Sequence, residues 1–349
     1  MNVLLLKMSS LGDIVHTLPA VADAERQGVR FDWVVEENCR TVPARARGVE
    51  QVIEVAFRRW RTAPFGFAPE LAAFRRRLRR RRYDLVLDAQ GLIKSAVVGV
   101  WARADERVGF DAASARERAA TLGYGRRISV PGRWHAIDRT RRLFAAALGY
   151  EQPDRDPVFD LRGTGRDVGT GREVVLAHGT TWTTKHWPEA FWIALARLAT
   201  AHGLVPVLPW SPGERGRAER IANAVSGARV CPPSDLDGIM ELLATASGVV
   251  GVDSGLAHLG AALGRPTVAL FGPTDPLLTG SRGPYVCNLT ASLACSPCRS
   301  RRCRLEGRFP RRYGASRSVP PCLQAVEPVR AWAALTDLMK RQCRDCLAR

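Results

Sequence analysis

The sequence predicts an α/β protein made of two doubly wound domains. Short aliphatic runs alternate with helix-length segments along the chain, and this pattern occurs twice. The first series of runs is Val3–Leu6, Phe31–Val35, Gln51–Val55 and Asp84–Asp88. The second series is Glu173–Ala177, Leu204–Pro209, Gly248–Val252 and Thr267–Phe271. Runs of this kind are typical of parallel strands that helices cover on both faces.

A change of composition near the middle of the chain marks the predicted domain boundary. The stretch Glu151 to Arg172 holds two Pro, four Gly and many charged residues, which is typical of a linker. A chain of 349 residues is long enough for two domains, each with its own core. We therefore expect Rossmann-like domains over 1–160 and 161–326, facing a cleft, and a C-terminal helical segment over 327–349.

The overall composition is that of a globular protein with an excess of positive charge. Apolar residues make up 46% and charged residues 25% of the chain, and the net charge is +18. We find no secretory signal and no apolar run of about 18–20 residues, the length that crosses a bilayer, and expect a cytoplasmic protein. Between Arg58 and Arg82 there are ten Arg and one acid, Glu70.

The Arg-rich stretch favours an anionic partner, namely nucleic acid, a lipid surface or a phosphorylated substrate. The alternative for Arg75 to Arg82 is a solvated helix face, because Leu71, Phe74 and Leu78 form an ordinary buried stripe. The chain has no zinc-finger spacing and no aromatic RNA-binding motif, so we expect no nucleic-acid partner.

Nine cysteines in a chain without a predicted signal argue against a disulfide framework. Four of them, Cys295, Cys298, Cys303 and Cys322, lie in an Arg-rich stretch that looks like a loop. The Cys-x2-Cys spacing of the first pair suits a tetrahedral zinc or iron site. The last gap is long and holds no His, so the sequence alone favours the absence of a metal.

Polar loops follow the predicted strands, where ligands of such sheets bind. The loop from His178 to Lys185 offers small hydroxyl residues, a cation and a following helix N-terminus, which suits a diphosphate. Asp253, Ser254 and Gly255 follow another strand, and His258 lies one turn further on. The alternative is that both loops are Thr-rich or capping turns that bond their own backbone. Glu214 follows a third strand. Its carboxylate is suited to accept hydrogen bonds from ribose hydroxyls, and the alternative is an acidic residue of a surface loop.

Asp13 follows the first predicted strand in the run Ser9-Ser10-Leu11-Gly12-Asp13. It suits a helix cap, a ligand anchor or a general base for a substrate hydroxyl, and Ser10 suits hydroxyls or carboxylates of a substrate. Pro19 would lie inside a helix that began at Asp13, so we expect an irregular first turn.

Several stretches together resemble the bacterial lipopolysaccharide heptosyltransferases. They are LLLKMSSLGDIVHTLPAV, FDWVVEE, YDLVLDAQGLIKSA, HGTTWTTKHWPEAFW and VDSGLAHLGAALGRPTVALFGPTDP, within Met1 to about Gly283. The resemblance implies a GT-B glycosyltransferase that uses ADP-L-glycero-D-manno-heptose as donor and no cofactor. It implies Kdo2-lipid A as acceptor, at the anionic cytoplasmic face of the inner membrane. Other acceptors within the family are the second core heptose site or a protein.

The resemblance also assigns roles to residues. Asp13 would be the base of an inverting, metal-independent displacement, with Lys185 stabilising the leaving ADP. The donor contacts would be Thr180, Thr181, Lys185, Glu214, Asp253, Ser254, Gly255 and His258. The acceptor contacts would be Ser10, Arg58, Arg59, Arg61, Arg116, His135 and Arg139. The rival hypotheses are a nucleotide-sugar epimerase and a nucleic-acid binder.

Overall fold

A computed structural model describes residues 1–62, 66–162, 171–305 and 319–347. The chain divides into two compact units, Met1–Gly163 and Thr164–Arg349. Each unit contains a six-stranded sheet in which all paired strands are parallel, with helices between the strands. The predicted fold class is therefore confirmed. Residues 163–170 of the predicted linker lie outside the described residues.

The sheet of the first unit has the strand order β3-β2-β1-β4-β5-β6. Its strands are β1 (Asn2–Leu6), β2 (Arg30–Glu36), β3 (Val49–Val55), β4 (Arg82–Asp88), β5 (Arg103–Phe110) and β6 (Arg126–Ile128). The order reverses between β1 and β4, which are direct neighbours. In doubly wound sheets this reversal opens a crevice at the carboxyl ends of the two strands, and the crevice is where ligands bind.

The first two helices of the first unit are short and are separated by a break in the chain's helical path. They are α1 (Leu11–Val15), α2 (Leu18–Glu25), α3 (Thr41–Arg45), α4 (Phe57–Thr62), α5 (Ala68–Leu78), α6 (Ile93–Trp101) and α7 (Ala136–Leu148). Pro19 lies in the first turn of α2, where its missing N–H costs nothing. Asp13 is consequently in a single-turn helix that ends before the proline, as the sequence predicted.

The sheet of the second unit has the order β12-β11-β10-β7-β8-β9. Its strands are β7 (Glu173–Ala177), β8 (Val205–Leu208), β9 (Arg229–Val230), β10 (Gly248–Val252), β11 (Thr267–Phe271) and β12 (Val286–Thr290). Counted within the unit, this order is the same as that of the first sheet. The reversal now lies between β7 and β10, which pair directly.

The C-terminal helix of the chain packs on the second unit. The helices of this unit are α8 (Glu189–Ala201), α9 (Arg215–Asn223), α10 (Leu236–Thr245), α11 (Gly255–Ala262), α12 (Pro276–Thr279), α13 (Pro321–Gln324) and α14 (Pro328–Leu347). Ala331, Trp332 and Leu335 of α14 are buried in the same core as Trp187 and Phe191. Their burial removes apolar surface from water, which favours the docked helix. Among the described residues, no helix is both long and apolar enough to span a membrane.

Candidate active site

Asp13 lies beyond the carboxyl end of β1, at the strand-order reversal of the first sheet. Its carboxylate accepts hydrogen bonds from the Ser10 backbone N–H at 3.0 Å and from Ser10 Oγ at 2.9 Å. The side chain is 24% exposed. Asp13 is thus held in place by Ser10 while part of the carboxylate remains open to solvent. Ser10, which was predicted to contact the acceptor substrate, donates hydrogen bonds to the carboxylate of the predicted base.

Two cations flank this carboxylate. Lys7 Nζ lies 4.0 Å from Asp13 Oδ1, and Arg116 Nη1 lies 3.7 Å from Oδ2. Burial by itself raises the pKa of Asp13, but Lys7, Arg116 and the Ser10 hydrogen bonds outweigh it and lower the pKa to about 2. Asp13 is therefore ionised at neutral pH. Lys7, which the sequence analysis did not single out, is nearly buried and donates to Ala89 O at 2.9 Å.

His135 and Arg139 lie at the start of α7. The His135 ring is 4% exposed, accepts a hydrogen bond from Ile137 N, and packs edge-on against His16. Arg139 donates to Ser114 O at 2.7 Å and covers the Phe110 ring. Burial and the neighbouring Arg116 lower the pKa of Arg139. In this structure the His135 side chain caps and packs α7, whereas Arg139 adds a second guanidinium near Arg116.

The three predicted acceptor arginines of α4 differ from one another. Arg59 forms ion pairs with Glu37 at 3.1 Å and with Glu70 at 2.8 Å. These carboxylates raise the pKa of Arg59 and neutralise much of its charge. Arg58 and Arg61 are exposed on the same short helix. The structure therefore assigns Arg59 an internal partner that the sequence did not predict.

In the second unit, Lys185, Asp253 and His258 form one connected network. Lys185 Nζ lies 2.6 Å from Asp253 Oδ2, and His258 Nε2 lies 3.3 Å from Oδ1. Thr274 Oγ1 donates to Asp253 at 2.6 Å, and His258 Nδ1 contacts Ser281 Oγ at 2.9 Å. Burial alone would raise the pKa of Asp253, but the His258 hydrogen bond and the Lys185 charge lower it.

This network shows what Asp253 and His258 do for the loop. The Asp253 side chain is 7% exposed, and both of its oxygens are engaged by neighbouring side chains. His258 is also buried, with both ring nitrogens at polar partners. In this structure Asp253 contacts Lys185 directly and His258 contacts Asp253, and the Lys185 side chain, at the end of β7, is 15% exposed. The sequence places Thr274 in a polar loop after the strand Thr267–Phe271 but gives it no role, and it does not single out Ser281, because nothing local links either residue to Asp253 or His258.

The loop after β7 is held in shape by Arg217 of α9. Arg217 donates to Trp187 O at 2.5 Å, contacts His186 Nδ1 at 2.6 Å and donates to His178 O at 3.4 Å. Thr180 and Thr181 lie in the part of the loop between these contacts, and Thr181 is exposed. The loop is thus fixed at both ends while its hydroxyl-bearing middle faces outward.

Glu214 lies directly over the backbone of this loop. A Cβ placed on Gly179 would be 2.5 Å from the Glu214 carboxylate oxygens, so a larger residue there would have to displace that carboxylate. Ser211 donates to the same carboxylate through its backbone N–H at 3.0 Å. The structure therefore brings Glu214 against the loop that carries Thr180.

Ser254 and Gly255 form the N-terminus of α11. Ser254 precedes the helix, and its buried Oγ has no hydrogen-bond partner among the described residues. The free N–H groups of the first turn and an unused hydroxyl together offer donors to an anion. This end of α11 follows β10, next to β7 and its loop.

Two residues that the sequence analysis missed add to the positive charge at the β7 loop. The ring of Trp182 has Lys185 Nζ at 4.6 Å and the Arg301 guanidinium at 4.8 Å from its centroid. Cations over an indole ring are attracted by its negative faces. In the sequence, Trp182 is flanked by two Thr on each side and precedes Lys185 by three residues, and this pattern could have drawn attention to it. No such signal links Arg301 to it.

Comparison with known proteins identifies the family of the chain. The family model described as glycosyltransferase family 9 (heptosyltransferase) matches residues 71–308. Lipopolysaccharide heptosyltransferase 1 of Pseudomonas aeruginosa is 42% identical over 97% of this chain and 98% of its own length. The protein of that name from Escherichia coli K12 is 44% identical over 81% of this chain and 91% of its own length.

A solved structure shares the fold over nearly the whole chain. The structure of E. coli heptosyltransferase WaaC with ADP-2-deoxy-2-fluoro heptose has a TM-score of 0.79 and 37% identity. The match covers 97% of this chain and 99% of that one. The resemblance inferred from the motifs is confirmed by these matches. The chain therefore belongs to glycosyltransferase family 9, the heptosyltransferases.

Proposed function

We propose that the protein transfers L-glycero-D-manno-heptose from ADP-heptose to Kdo2-lipid A, with inversion at the anomeric carbon. The names of relatives at 42–44% identity and a matched structure holding an ADP-heptose analogue support this donor and this pathway. The observation that carries the proposal is the contrast between two carboxylates. Asp13 is ionised and partly exposed to solvent, whereas Asp253 is buried and forms an ion pair with Lys185.

In the proposed mechanism Asp13 is the general base. It accepts the proton of an acceptor hydroxyl while the hydroxyl oxygen forms a bond to the anomeric carbon of the heptose. The bond from that carbon to the phosphate oxygen breaks at the same time, and ADP leaves from the opposite face. The forming bond makes the hydroxyl acidic, which allows its proton to pass to the ionised carboxylate of Asp13.

The second unit would stabilise the charge that develops on ADP. Lys185, the N–H groups at the start of α11 and the hydroxyls of Thr180 and Thr181 are donors suited to the diphosphate. Glu214 would accept hydrogen bonds from the ribose hydroxyls. His258 and Asp253 would act by fixing the position of Lys185.

The first unit would bind the acceptor through its cations. Kdo2-lipid A carries phosphates and carboxylates, and Arg116 and Arg139 lie beside Asp13 with Lys7. Arg58 and Arg61 would reach the same acceptor from α4. In this proposal the domain 1–160 supplies the acceptor site, the domain 161–326 supplies the donor site, and 327–349 is a C-terminal helical segment.

The proposal places the protein on the cytoplasmic face of the inner membrane as a peripheral protein. Arg75, Arg76, Arg79 and Arg80 are exposed around the end of α5 and surround one open depression. Arg81 and Arg82, by contrast, pair with Glu50 and Asp105. These four arginines, together with Arg77, which is also exposed, are therefore the part of the Arg75 to Arg82 stretch that suits an anionic membrane surface.

The experiment that tests the proposed function measures ADP release from ADP-heptose with and without Kdo2-lipid A. We expect ADP release only when the acceptor is present, together with a lipid product heavier by one heptose. Consumption of ADP-heptose without any acceptor would instead support an epimerase. ADP release only with a lipid that already carries the first heptose, or only with a protein, would replace the acceptor. If no acceptor supported activity and the protein bound DNA in a salt-sensitive manner, the proposal would be contradicted altogether.

A further inference from the structure

Four cysteines from two parts of the chain meet at a small cavity in the second unit. The cavity has a volume of about 20 Å³, which is room for roughly one water-sized particle. Its walls include Cys295, Cys298, Cys303 and Cys322, together with Thr184 and Gly272. The chain has nine cysteines, so almost half of them converge here.

Cys322 anchors this group at the end of β11. It is 7% exposed, and a Cβ on Gly272 would lie 2.7 Å from its Sγ, so the missing side chain of Gly272 makes room for the sulfur. Cys295, Cys298 and Cys303 line the same cavity as Cys322. The long sequence gap before Cys322, which argued against a metal, is therefore closed in three dimensions.

We propose that Cys295, Cys298, Cys303 and Cys322 bind one thiophilic metal ion, zinc or iron, that has a structural role. Four thiolates are the ligand set of tetrahedral zinc and iron sites, with sulfur about 2.3 Å from zinc. As they stand, the His, Cys, Asp and Glu side chains of the described residues form no group of three or more arranged to hold a metal. The ion would draw the four sulfurs inward, because metal binding and local folding are coupled.

The charges around the cavity suit a thiolate site. Four thiolates around a divalent ion leave a net charge of −2, and binding releases the thiol protons. Arg299, Arg301 and Arg302 are exposed in the same segment and would offset this charge.

The cysteine segment packs against the loops of the candidate donor site. Ser296 Oγ donates to Gly272 O at 2.6 Å, and Thr184 Oγ1 donates to Ser300 O at 3.1 Å. Arg301 covers the Trp182 ring, which also contacts Lys185. A metal that fixes this segment would thus hold Thr184 and Trp182, and through them the position of Lys185. The metal would support donor binding without contacting the donor.

The test is the metal content of the untagged full chain, purified under reducing conditions without chelator. We expect about one equivalent of zinc or iron per chain. After removal of the metal and addition of Co²⁺, we expect the intense absorption of cobalt–thiolate bonds. The variant Cys295→Ser/Cys298→Ser should lose both signals. The matched control is Cys343→Ser/Cys346→Ser, which changes an exposed pair with the same spacing on α14 and should keep both.

A second measurement, of ADP affinity, tests whether the bound metal supports the donor site. Loss of the metal should weaken ADP binding about fivefold, as expected for one hydrogen bond of about 1 kcal/mol. Adding metal back to the stripped wild-type chain should restore that affinity, and this does not require a folded cysteine variant. The proposal is overturned if the reduced chain takes up no metal after addition of Zn²⁺, Fe²⁺ or Co²⁺. It is also overturned if the Cys295→Ser/Cys298→Ser variant binds the metal as the wild type does.

Discussion

The two units of this protein have the same strand order but use a carboxylate in opposite ways. Asp13 of the first unit is 24% exposed, and its nearest cations lie at 3.7 and 4.0 Å. Asp253 of the second unit is 7% exposed, with Lys185 and Thr274 both at 2.6 Å. Each carboxylate follows a strand at the reversal of its sheet.

The difference teaches that position in the fold does not decide the role of an acid. A buried carboxylate held at short range by several protein groups, as Asp253 is by Lys185, Thr274 and His258, is poorly accessible to a substrate proton and acts as a support. A carboxylate that is ionised, oriented by one neighbour and partly open can accept a proton. On this comparison we propose that Asp13 is the base and that Asp253 acts by holding Lys185 in position.

The largest expected effect is on Asp13. Replacing it as Asp13→Asn keeps the size of the side chain and removes the base, so turnover should fall about 10²–10⁴-fold. The measurement is kcat for ADP release with saturating ADP-heptose and acceptor. A thermal melt checks that the variant is folded. Turnover close to that of the wild type would show that Asp13 is only structural.

Next in size is the loss of Lys185. Lys185→Ala removes a charge-assisted hydrogen bond worth about 1.5–3 kcal/mol, which corresponds to roughly 10–100-fold weaker binding of ADP-heptose. It also leaves Asp253 without its closest cation. Calorimetric titration with ADP measures the change. If the variant lost affinity for the acceptor alone, Lys185 would not belong to the donor site.

Membrane binding should depend on the first unit alone. Arg76→Gln/Arg79→Gln removes two exposed charges worth about 1 kcal/mol each at an anionic surface, or roughly 30-fold in vesicle binding at low salt. Sedimentation with anionic vesicles at low and high salt measures this, since screening weakens such binding. The matched control, Arg341→Gln/Arg344→Gln, removes two exposed charges from α14 of the second unit and should bind as the wild type does. Equal losses in both variants would indicate a general charge effect rather than a membrane-binding face.

A smaller effect is expected at the contact between Gly179 and Glu214. Gly179→Ala places a methyl group where the carboxylate lies and should displace it, weakening ADP binding about tenfold. Glu214→Ala should weaken binding by a similar factor, and the double variant by no more than either single one. Additive losses would mean that Gly179 acts independently of Glu214.

The smallest effect concerns stability and pH. The pKa of Asp13 is lowered to about 2, so its stabilising contribution is complete above its unfolded value and is lost as the pH falls. Between pH 5 and pH 3 the wild type should lose about 1 kcal/mol more unfolding free energy than Asp13→Asn. Urea unfolding of both proteins at several pH values measures this. Parallel curves would mean that Lys7 and Arg116 do not stabilise the ionised carboxylate.

The sequence predicted the central strands of both sheets and the edge strand β3, but missed β5, β6, β9 and β12. The missed strands lie toward the sheet edges, where charged residues are tolerated, as in the Arg103–Phe110 segment. Such strands lack the continuous aliphatic run that marks a strand buried on both faces. Hydrophobic pattern therefore identifies the interior of a doubly wound sheet better than its margins.

For the site, the sequence identified the residues but not their partners. Lys185 and Asp253 were both expected to contact the donor, yet they bond each other across a long sequence separation. The sequence likewise did not predict that Arg59 pairs with Glu37. It also did not predict that Cys322 lies near the other three cysteines. Such pairs depend on tertiary packing, which local spacing does not encode. Asp13 was easier to interpret because its main partner, Ser10, is three residues away.

The most direct test of the division of roles is ADP titration of Asp13→Asn and Asp253→Asn by calorimetry, side by side with the wild type. The account predicts that Asp13→Asn binds ADP with wild-type affinity, although its turnover is lost. It predicts that Asp253→Asn, checked for a normal thermal melt, binds ADP at least about tenfold more weakly, because Lys185 is no longer held. Equal weakening of ADP binding in both variants, or none in Asp253→Asn, would contradict the account.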